Sequence, residues 1–132
     1  MDEVRLDALI AAAREVRAHA HAPYSGFAVG AAVAEGDRTF VGVNVENASY
    51  PVAACAERNA LAAMVAAGAR APDAVAIVTD ATRPTTPCGA CRQALFEFGG
   101  AALVVVAETL GGARAAWSLG ELLPAPFERE TP

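Results

Sequence analysis

Apolar residues recur along this 132-residue chain with two spacings, one typical of helices and one of strands. Near the start they return every three to four positions, which predicts a helix over residues 2–20. Residues 21–26, which include a proline and a glycine, break that pattern. The next two apolar segments, 27–34 and 39–45, flank a turn-forming stretch and predict a β-hairpin.

The second half of the chain alternates helix and strand signals. Residues 56–67 are rich in alanine, leucine and methionine and end before Gly68, which predicts a helix. Residues 74–79 are almost continuously apolar, which is typical of a strand covered on both faces. The other predicted elements are a helix over 88–98, strands over 103–107 and 114–117, and a short helix over 118–123 that opens on a capping box.

This order of elements predicts an α/β fold in a single domain, residues 1–132. Buried strands that alternate with helices favour three layers, with helices on both faces of a central five-stranded sheet. Because the first two strands form a hairpin, we expect the sheet to be mixed rather than purely parallel.

Composition narrows the class of protein. Hydrophobic residues make up 55% of the chain and charged residues 19%, which excludes intrinsic disorder. A domain of this size exposes much of its surface, so we expect part of the apolar excess to be buried against other subunits. The net charge of −5 provides no basic field for a nucleic acid polymer. The absence of lysine excludes Schiff-base chemistry.

The sequence also indicates where the protein works. Its first residues are too charged for a secretory signal, and no uncharged stretch reaches the roughly 18 residues that span a membrane. We therefore expect a cytoplasmic protein, in a compartment that keeps thiols reduced, with no membrane partner. The three cysteines are an odd number that fits a disulfide scaffold poorly, so we expect them to carry chemistry.

Two short segments concentrate residues that can bind a metal or move a proton. Cys55 precedes Ala56 and Glu57 at the start of one predicted helix, and Cys88 and Cys91 open another. Residues three apart share a helix face, and helix N-termini favour thiolates. If the two helix starts face each other, three thiolates converge on one point. A Zn²⁺ ion held by three thiolates keeps one tetrahedral position open, which is the catalytic arrangement.

The residues after Cys55 complete a catalytic hypothesis. Glu57 is placed to take a proton from water at the open position and to return it. Zinc with three thiolates carries a net negative charge, which Arg58 could reduce by donating hydrogen bonds to the sulfurs. Two alternatives stay open at this point, because a Cys-x-x-Cys pair also occurs as a redox dithiol and as half of a structural zinc site.

Six segments spread over nearly the whole chain form a further pattern: Pro-Tyr-Ser-Gly-Phe at 23–27, Val-Gly-Ala-Ala at 29–32, Asn-Val-Glu-Asn-Ala-Ser-Tyr-Pro at 44–51, Cys-Ala-Glu-Arg at 55–58, Pro-Cys-Gly-Ala-Cys-Arg-Gln at 87–93 and Leu-Leu-Pro-Ala-Pro-Phe at 122–127. In these segments the sequence resembles the homotetrameric zinc-dependent cytidine deaminases. The resemblance implies a cytidine deaminase-like fold and one Zn²⁺ per chain. It also implies hydrolytic deamination of cytidine and deoxycytidine to the uridine nucleosides in pyrimidine salvage.

The resemblance further assigns substrate contacts. It implies that Asn44 and Glu46 bind the ribose hydroxyls, and an amide and a carboxylate two residues apart on a strand do share a face. Phe27 would pack beside the nucleoside, and the backbone N–H of Ala56 would bind the base carbonyl. Residues from a neighbouring subunit of a homotetramer would complete the site, namely Ala48, Tyr50 and Phe127. A deaminase of another aminopyrimidine nucleoside, such as blasticidin S, and a redox or structural thiol protein remain as alternatives.

Overall fold

The computed structural model describes residues 1–130, which form a five-stranded sheet flanked by helices. The elements in chain order are α1 (Glu3–Val16), β1 (Gly30–Glu35), β2 (Arg38–Val43), α2 (Ala56–Ala66), β3 (Ala74–Thr79), α3 (Gly89–Gly99), β4 (Val104–Thr109), β5 (Arg114–Ser118) and α4 (Leu119–Leu122). Short 3₁₀ turns occur at Arg17–His19 and Tyr50–Val52. Within residues 1–130, none of the helices combines the length and the apolar character needed to cross a membrane.

The sheet is mixed, as predicted. Its strand order is β2-β1-β3-β4-β5, in which β3 and β4 run parallel and the other neighbouring pairs run antiparallel. Helix α1 packs on one face of the sheet, and helices α2, α3 and α4 pack on the other. The predicted three-layer α/β/α arrangement is confirmed.

The two cores follow from the alternation of side chains along each strand. In β3, Val75 and Ile77 belong to the core under α2 and α3, whereas Ala76 and Val78 belong to the core under α1. All the residues of β3 are buried, as its continuous apolar run predicts.

The direction of the strands brings two helix starts together. Strands β2 and β3 run in the same direction, because each is antiparallel to β1, which lies between them. Gly30 pairs with Val43 on one side and with Val78 on the other, so β2 and β3 end at the same edge of the sheet. From that edge the chain continues to α2 and α3, which pack on the same face and contact each other.

The ends of the first two strands differ from the prediction. Strand β1 begins three residues later than expected, and β2 ends two residues earlier. The Asn44 side chain explains both differences. Its Oδ1 accepts a hydrogen bond from the Val29 N–H at 2.8 Å, and its Nδ2 donates to the Phe27 carbonyl at 2.7 Å. The Asn44 side chain therefore takes the place of its own carbonyl as the partner of the Val29 N–H, whereas the Asn44 N–H still donates to the Val29 carbonyl at 3.3 Å.

Most other boundaries lie within one residue of the prediction, but β4 ends two residues later, at Thr109, and α1 differs more. Helix α1 ends as an α-helix at Val16, although the apolar pattern extends the prediction to residue 20. Its N-cap is Asp2, which accepts a hydrogen bond from the Arg5 N–H at 2.8 Å. The edge strand β5 and the capping box of Ser118 and Glu121 at the start of α4 are both present, as predicted.

Candidate metal centre and active site

Three cysteine sulfurs meet where α2 and α3 begin. Cys55 is the N-cap residue of α2, Cys88 is the N-cap residue of α3, and Cys91 lies in the first turn of α3. Their Sγ atoms all lie within 4.8 Å of one another. Zinc–sulfur bonds of about 2.3 Å in a tetrahedral site place the sulfurs about 3.8 Å apart, so the cluster fits one Zn²⁺ ion. The predicted convergence of the three thiols is confirmed.

The cluster leaves a ligand position available. Within residues 1–130, no ligand atom of a fourth histidine, cysteine, aspartate or glutamate joins the three sulfurs. Cys91 is buried and Cys55 is partly buried, but Cys88 is exposed, so the cluster is accessible from solvent. Three protein ligands with a fourth position open to solvent are the arrangement of a catalytic zinc site rather than of a closed structural one.

The surrounding chain shifts the pKa values of two of these thiols in opposite directions. Burial raises the pKa of the Cys91 thiol far above its ordinary value, and the nearby charge of Glu57 adds to the effect. Burial acts in the same sense on Cys88, but hydrogen bonds, led by one from the Cys91 backbone N–H, outweigh it and lower the pKa of that thiol. Cys88 is therefore the readier thiolate, and a bound cation would be needed to hold Cys91 in the same state.

Glu57 lies in the first turn of α2 and is only 6% exposed. Burial raises the pKa of its carboxyl above the ordinary value, while a hydrogen bond from its own backbone N–H and the charge of Arg58 oppose the shift. A buried carboxyl with a raised pKa next to a metal cluster is suited to accept a proton and to return it.

Arg58 is exposed and contacts one sulfur of the cluster. Its Nη2 donates a hydrogen bond to Cys55 Sγ at 3.8 Å. This hydrogen bond, opposed by some desolvation, raises the pKa of the guanidinium, so its positive charge is permanent. The contact is the one that the sequence predicts for Arg58.

The residues expected to bind ribose follow β2. Asn44 comes directly after the strand, and its amide is already engaged with the backbone around Phe27. The Glu46 carboxylate accepts hydrogen bonds from the N–H groups of Tyr24 at 2.9 Å and Ser25 at 3.1 Å, and from the Ser25 hydroxyl. These bonds, led by the one from the hydroxyl, lower the pKa of Glu46, so it is ionised at neutral pH.

A cleft of about 270 Å³ opens beside Glu46. Its walls include the rings of Tyr24 and Tyr50, which meet edge to face with their centroids 6.1 Å apart. The three cysteines and Glu57 are not among its lining residues.

The other residues predicted for the site lie at the cluster or on the surface. Ala56 is the first residue of α2 and is fully buried, so its N–H belongs to the helix end beside Cys55. Ala48, Tyr50 and Phe127 are exposed, and the exposed fraction of Phe127 is 74%. A residue that contributes to the nucleoside site of a neighbouring subunit must be exposed in its own chain. The contribution of these three residues to such a site stays a prediction.

Two residues for which the sequence predicts no role, Arg92 and Gln93, follow the third cysteine. Arg92 donates to the Pro87 carbonyl from Nε and to the Leu122 carbonyl from Nη1, both at 2.7 Å. The Gln93 amide exchanges two hydrogen bonds of 2.9 Å with the backbone of Phe127. Their position directly after Cys91, a predicted metal ligand, indicates that they lie near the site. Their partners, 30 and 34 residues further along the chain, cannot be identified from one sequence.

Comparison with known proteins agrees with this geometry. The family model described as "Cytidine and deoxycytidylate deaminase zinc-binding region" matches residues 4–108. A cytidine deaminase of Sporosarcina psychrophila is 40% identical over 126 residues, which cover 95% of this chain and 93% of that protein. A cytidine deaminase of Halalkalibacterium halodurans is 43% identical over 123 residues, which cover 92% of this chain and 93% of that protein.

The similarity to cytidine deaminases also holds for the three-dimensional structure. The crystal structure of cytidine deaminase from Burkholderia pseudomallei matches with a TM-score of 0.89 and 46% sequence identity. The match covers 96% of this chain and 100% of that one. The three sulfurs at the two helix starts are therefore those of a family zinc site, and the chain belongs to the zinc-binding cytidine and deoxycytidylate deaminase family.

Proposed function

We propose that this chain catalyses the hydrolytic deamination of cytidine and deoxycytidine, which gives uridine and deoxyuridine and releases ammonia. The observation that carries the proposal is a three-cysteine metal cluster next to a buried carboxyl, Glu57, at the starts of α2 and α3. The relatives described above support it, since they are cytidine deaminases that match nearly the whole chain. Such an enzyme would act in pyrimidine salvage.

The metal would be one Zn²⁺ ion per chain, held by the sulfurs of Cys55, Cys88 and Cys91. Thiolates are among the ligands that zinc prefers, and the spacing of the sulfurs suits tetrahedral coordination. Bound zinc supplies Lewis acidity, which makes water a nucleophile at neutral pH. Arg58 offsets part of the negative charge of the three thiolates through its hydrogen bond to Cys55.

Glu57 would move the protons of the reaction. Its carboxylate accepts a proton from the attacking water and delivers it to N3 of the cytosine ring, which prepares C4 for the addition of the oxygen. It then carries the second proton of that oxygen to the amino group, so that ammonia leaves and the carbonyl of the uracil ring forms. Burial of Glu57 supports this role, because a carboxyl with a raised pKa exchanges protons more readily near neutral pH.

The nucleoside would be held by the segment between β2 and α2 and by the segment that contains Phe27. The N–H of Ala56, at the start of α2, would donate to the base carbonyl. The Asn44 amide retains one N–H and one lone pair, and the Glu46 carboxylate retains acceptor capacity beside its three hydrogen bonds. These free positions support a role for both residues in binding ribose hydroxyls.

The site would be completed in a homotetramer. Large apolar side chains are exposed in the single chain, among them Tyr50 at 72% and Phe127 at 74%. Ala48, Tyr50 and Phe127 would reach the nucleoside site of a neighbouring subunit. Mass measurement of the native protein should give four chains. A monomer that is active at assay concentration would rule out shared sites.

We place the enzyme in the cytoplasm on the basis of its cysteines. The three cysteines must stay reduced to bind zinc as thiolates, and the cytosolic glutathione and thioredoxin systems provide that condition.

The substitution Glu57→Gln tests the proposed function. Gln has nearly the same shape but cannot carry the proton, so cytidine turnover should fall by about 10²- to 10⁴-fold with about one zinc per chain retained. Turnover near that of the wild type with zinc retained would contradict the role of Glu57.

The alternatives are tested with the wild-type chain. A chain that turns over blasticidin S faster than cytidine would be a deaminase of another aminopyrimidine nucleoside. A chain isolated without zinc, with a reversible disulfide between Cys88 and Cys91, would be a redox protein.

A further inference from the structure

The segment that follows α4 is held on α3 by two successive side chains. Arg92 donates from Nη1 to the Leu122 carbonyl at 2.7 Å, at the end of α4. Gln93 binds the backbone of Phe127 twice, because its Nε2 donates to the Phe127 carbonyl and its Oε1 accepts from the Phe127 N–H, both at 2.9 Å. Both ends of the segment 122–127 are therefore fixed to the helix that also contains Cys91.

The hydrogen bonds of Gln93 fix the backbone of Phe127, whereas Phe127 itself remains 74% exposed. An exposed aromatic side chain gains little from its own chain, so burial of the ring does not explain why the backbone is fixed. A side-chain amide that matches both the N–H and the carbonyl of one residue sets the position of that residue accurately. Glutamine provides this pairing because it offers a donor and an acceptor at the same end.

Arg92 connects the segment 122–127 with the loop that leads to Cys88. Its Nε donates to the carbonyl of Pro87, the residue before Cys88, at 2.7 Å, and its Nη2 donates to Thr86 Oγ1 at 3.2 Å. One guanidinium thus connects the loop that leads to a metal ligand with the end of α4. The segment 122–127 is therefore anchored to the start of α3, so that its last residue is presented from the chain in a defined position.

We propose that Gln93 is a positioning residue that holds Phe127 where its ring contacts the nucleoside bound in a neighbouring subunit. This inference rests on the proposed function, in which Phe127 reaches the nucleoside site of that neighbouring subunit. Gln93 does not itself touch the substrate or the metal in this scheme. Its loss should therefore weaken substrate binding without slowing the chemical step.

The test uses Gln93→Met, which keeps the length of the side chain but removes both hydrogen bonds. The KM for cytidine should rise about tenfold, since two hydrogen bonds and an ordered segment are lost, while kcat and zinc content stay within about twofold of the wild type. Amide exchange at Phe127, followed by mass spectrometry or NMR, should accelerate at least tenfold. The control is Glu15→Met, at an exposed position of α1 on the other face of the sheet, which should leave KM, kcat and exchange unchanged.

A double substitution distinguishes positioning from a general structural role. If Gln93 acts only through Phe127, the KM of Gln93→Met with Phe127→Ala should equal that of Phe127→Ala alone. Multiplied effects of the two substitutions, or a loss of kcat and zinc in Gln93→Met, would overturn the proposal. Unchanged amide exchange at Phe127 would overturn the hydrogen-bonded arrangement even if KM rose. A wild-type chain that did not deaminate cytidine would instead refute the proposed function, and the exchange result would still decide whether Gln93 holds Phe127.

Discussion

Arg58 Nη2 donates a hydrogen bond to Cys55 Sγ at 3.8 Å, so a permanent positive charge lies against one sulfur of the metal cluster. Three thiolates around Zn²⁺ give a net negative charge, which disfavours the approach of a further electron pair to the metal. A guanidinium beside one of the sulfurs withdraws part of that charge. We therefore propose that Arg58 tunes the charge of the cluster, although it is neither a ligand nor a proton carrier.

Substitution of Arg58 should reduce activity while the protein keeps its metal. Arg58→Met leaves the charge of the thiolates uncompensated, and we expect kcat/KM for cytidine to fall about 10- to 100-fold. Arg58→Lys retains the charge and should lose less. Steady-state assays with zinc analysis provide the measurement, and Arg83→Met, at an exposed position in the loop between β3 and α3, is the control. Wild-type activity in Arg58→Met would show that the hydrogen bond to Cys55 has no influence on the chemistry.

Removal of the metal should increase the reactivity of the cysteine thiols, because all three cysteines of the chain belong to the cluster. In the zinc-loaded protein we expect slow reaction with a colorimetric thiol reagent, since the sulfurs are occupied. After treatment with a chelator, Cys88 should react first because it is exposed, and Cys91 last because it is buried. Mass spectrometry of the labelled protein identifies the order.

Cys88→Ser is the control for this experiment, because it removes the residue expected to react first. Equal and rapid reaction of the three thiols with and without chelator would contradict metal coordination by the cluster.

The sequence predicted the parts of this site that depend on local spacing. Cys88 and Cys91 share a helix face because they are three residues apart, and Cys55 precedes its helix directly. Local spacing does not decide whether the two helix starts meet. That depends on the strand register, in which Gly30 lies between Val43 and Val78 and aligns the ends of β2 and β3.

What the sequence could not predict are contacts between side chains and distant backbone. Asn44 binds the backbone near Phe27 and so displaces the predicted start of β1, although the apolar pattern there is that of a strand. Arg92 and Gln93 bind partners 30 or more residues away. No periodicity encodes such pairs, because each depends on where the fold places one carbonyl or one N–H.

Because β2 and α2 pack closely, we expect Gly42 in β2 to tolerate no larger residue. A Cβ at Gly42 would lie 2.3 Å from the Ala60 nitrogen and 2.5 Å from the Ala56 carbonyl oxygen, both in the backbone of α2. Gly42→Ala must therefore move α2, and we expect the free energy of unfolding to fall by about 1–3 kcal/mol. Because α2 begins beside Cys55, the zinc content should fall as well. Urea denaturation and metal analysis measure the two effects.

The control for Gly42→Ala is Gly111→Ala, since the added Cβ there would meet nothing nearer than 3.7 Å. If the two variants were equally stable, the contact between β2 and α2 would be looser than the structure indicates.

The ion pairs of Glu108 should make the free energy of unfolding depend on pH. Its carboxylate in β4 binds Arg14 of α1 at 2.7 Å and Arg114 of β5 at 2.9 Å, and its side chain is only 11% exposed. Burial alone would raise the pKa of Glu108, but the hydrogen bonds and charges of the two arginines outweigh it and lower the pKa below its ordinary value. The folded protein therefore favours the ionised carboxylate.

A lowered pKa in the folded state gives stability that is fully present above the pKa of the unfolded chain, about 4.3 for glutamate, and is lost as the pH falls through the lower folded value. Glu108→Gln should therefore reduce the free energy of unfolding by about 1–2 kcal/mol at pH 7, and the gap to the wild type should close below about pH 4. Urea denaturation of both proteins at each pH provides the measurement, with Glu97→Gln as an exposed control. Since Gln preserves the shape of Glu, a gap that persisted unchanged at pH 3 would mean that packing or hydrogen bonding, and not the ionised pair, links α1, β4 and β5.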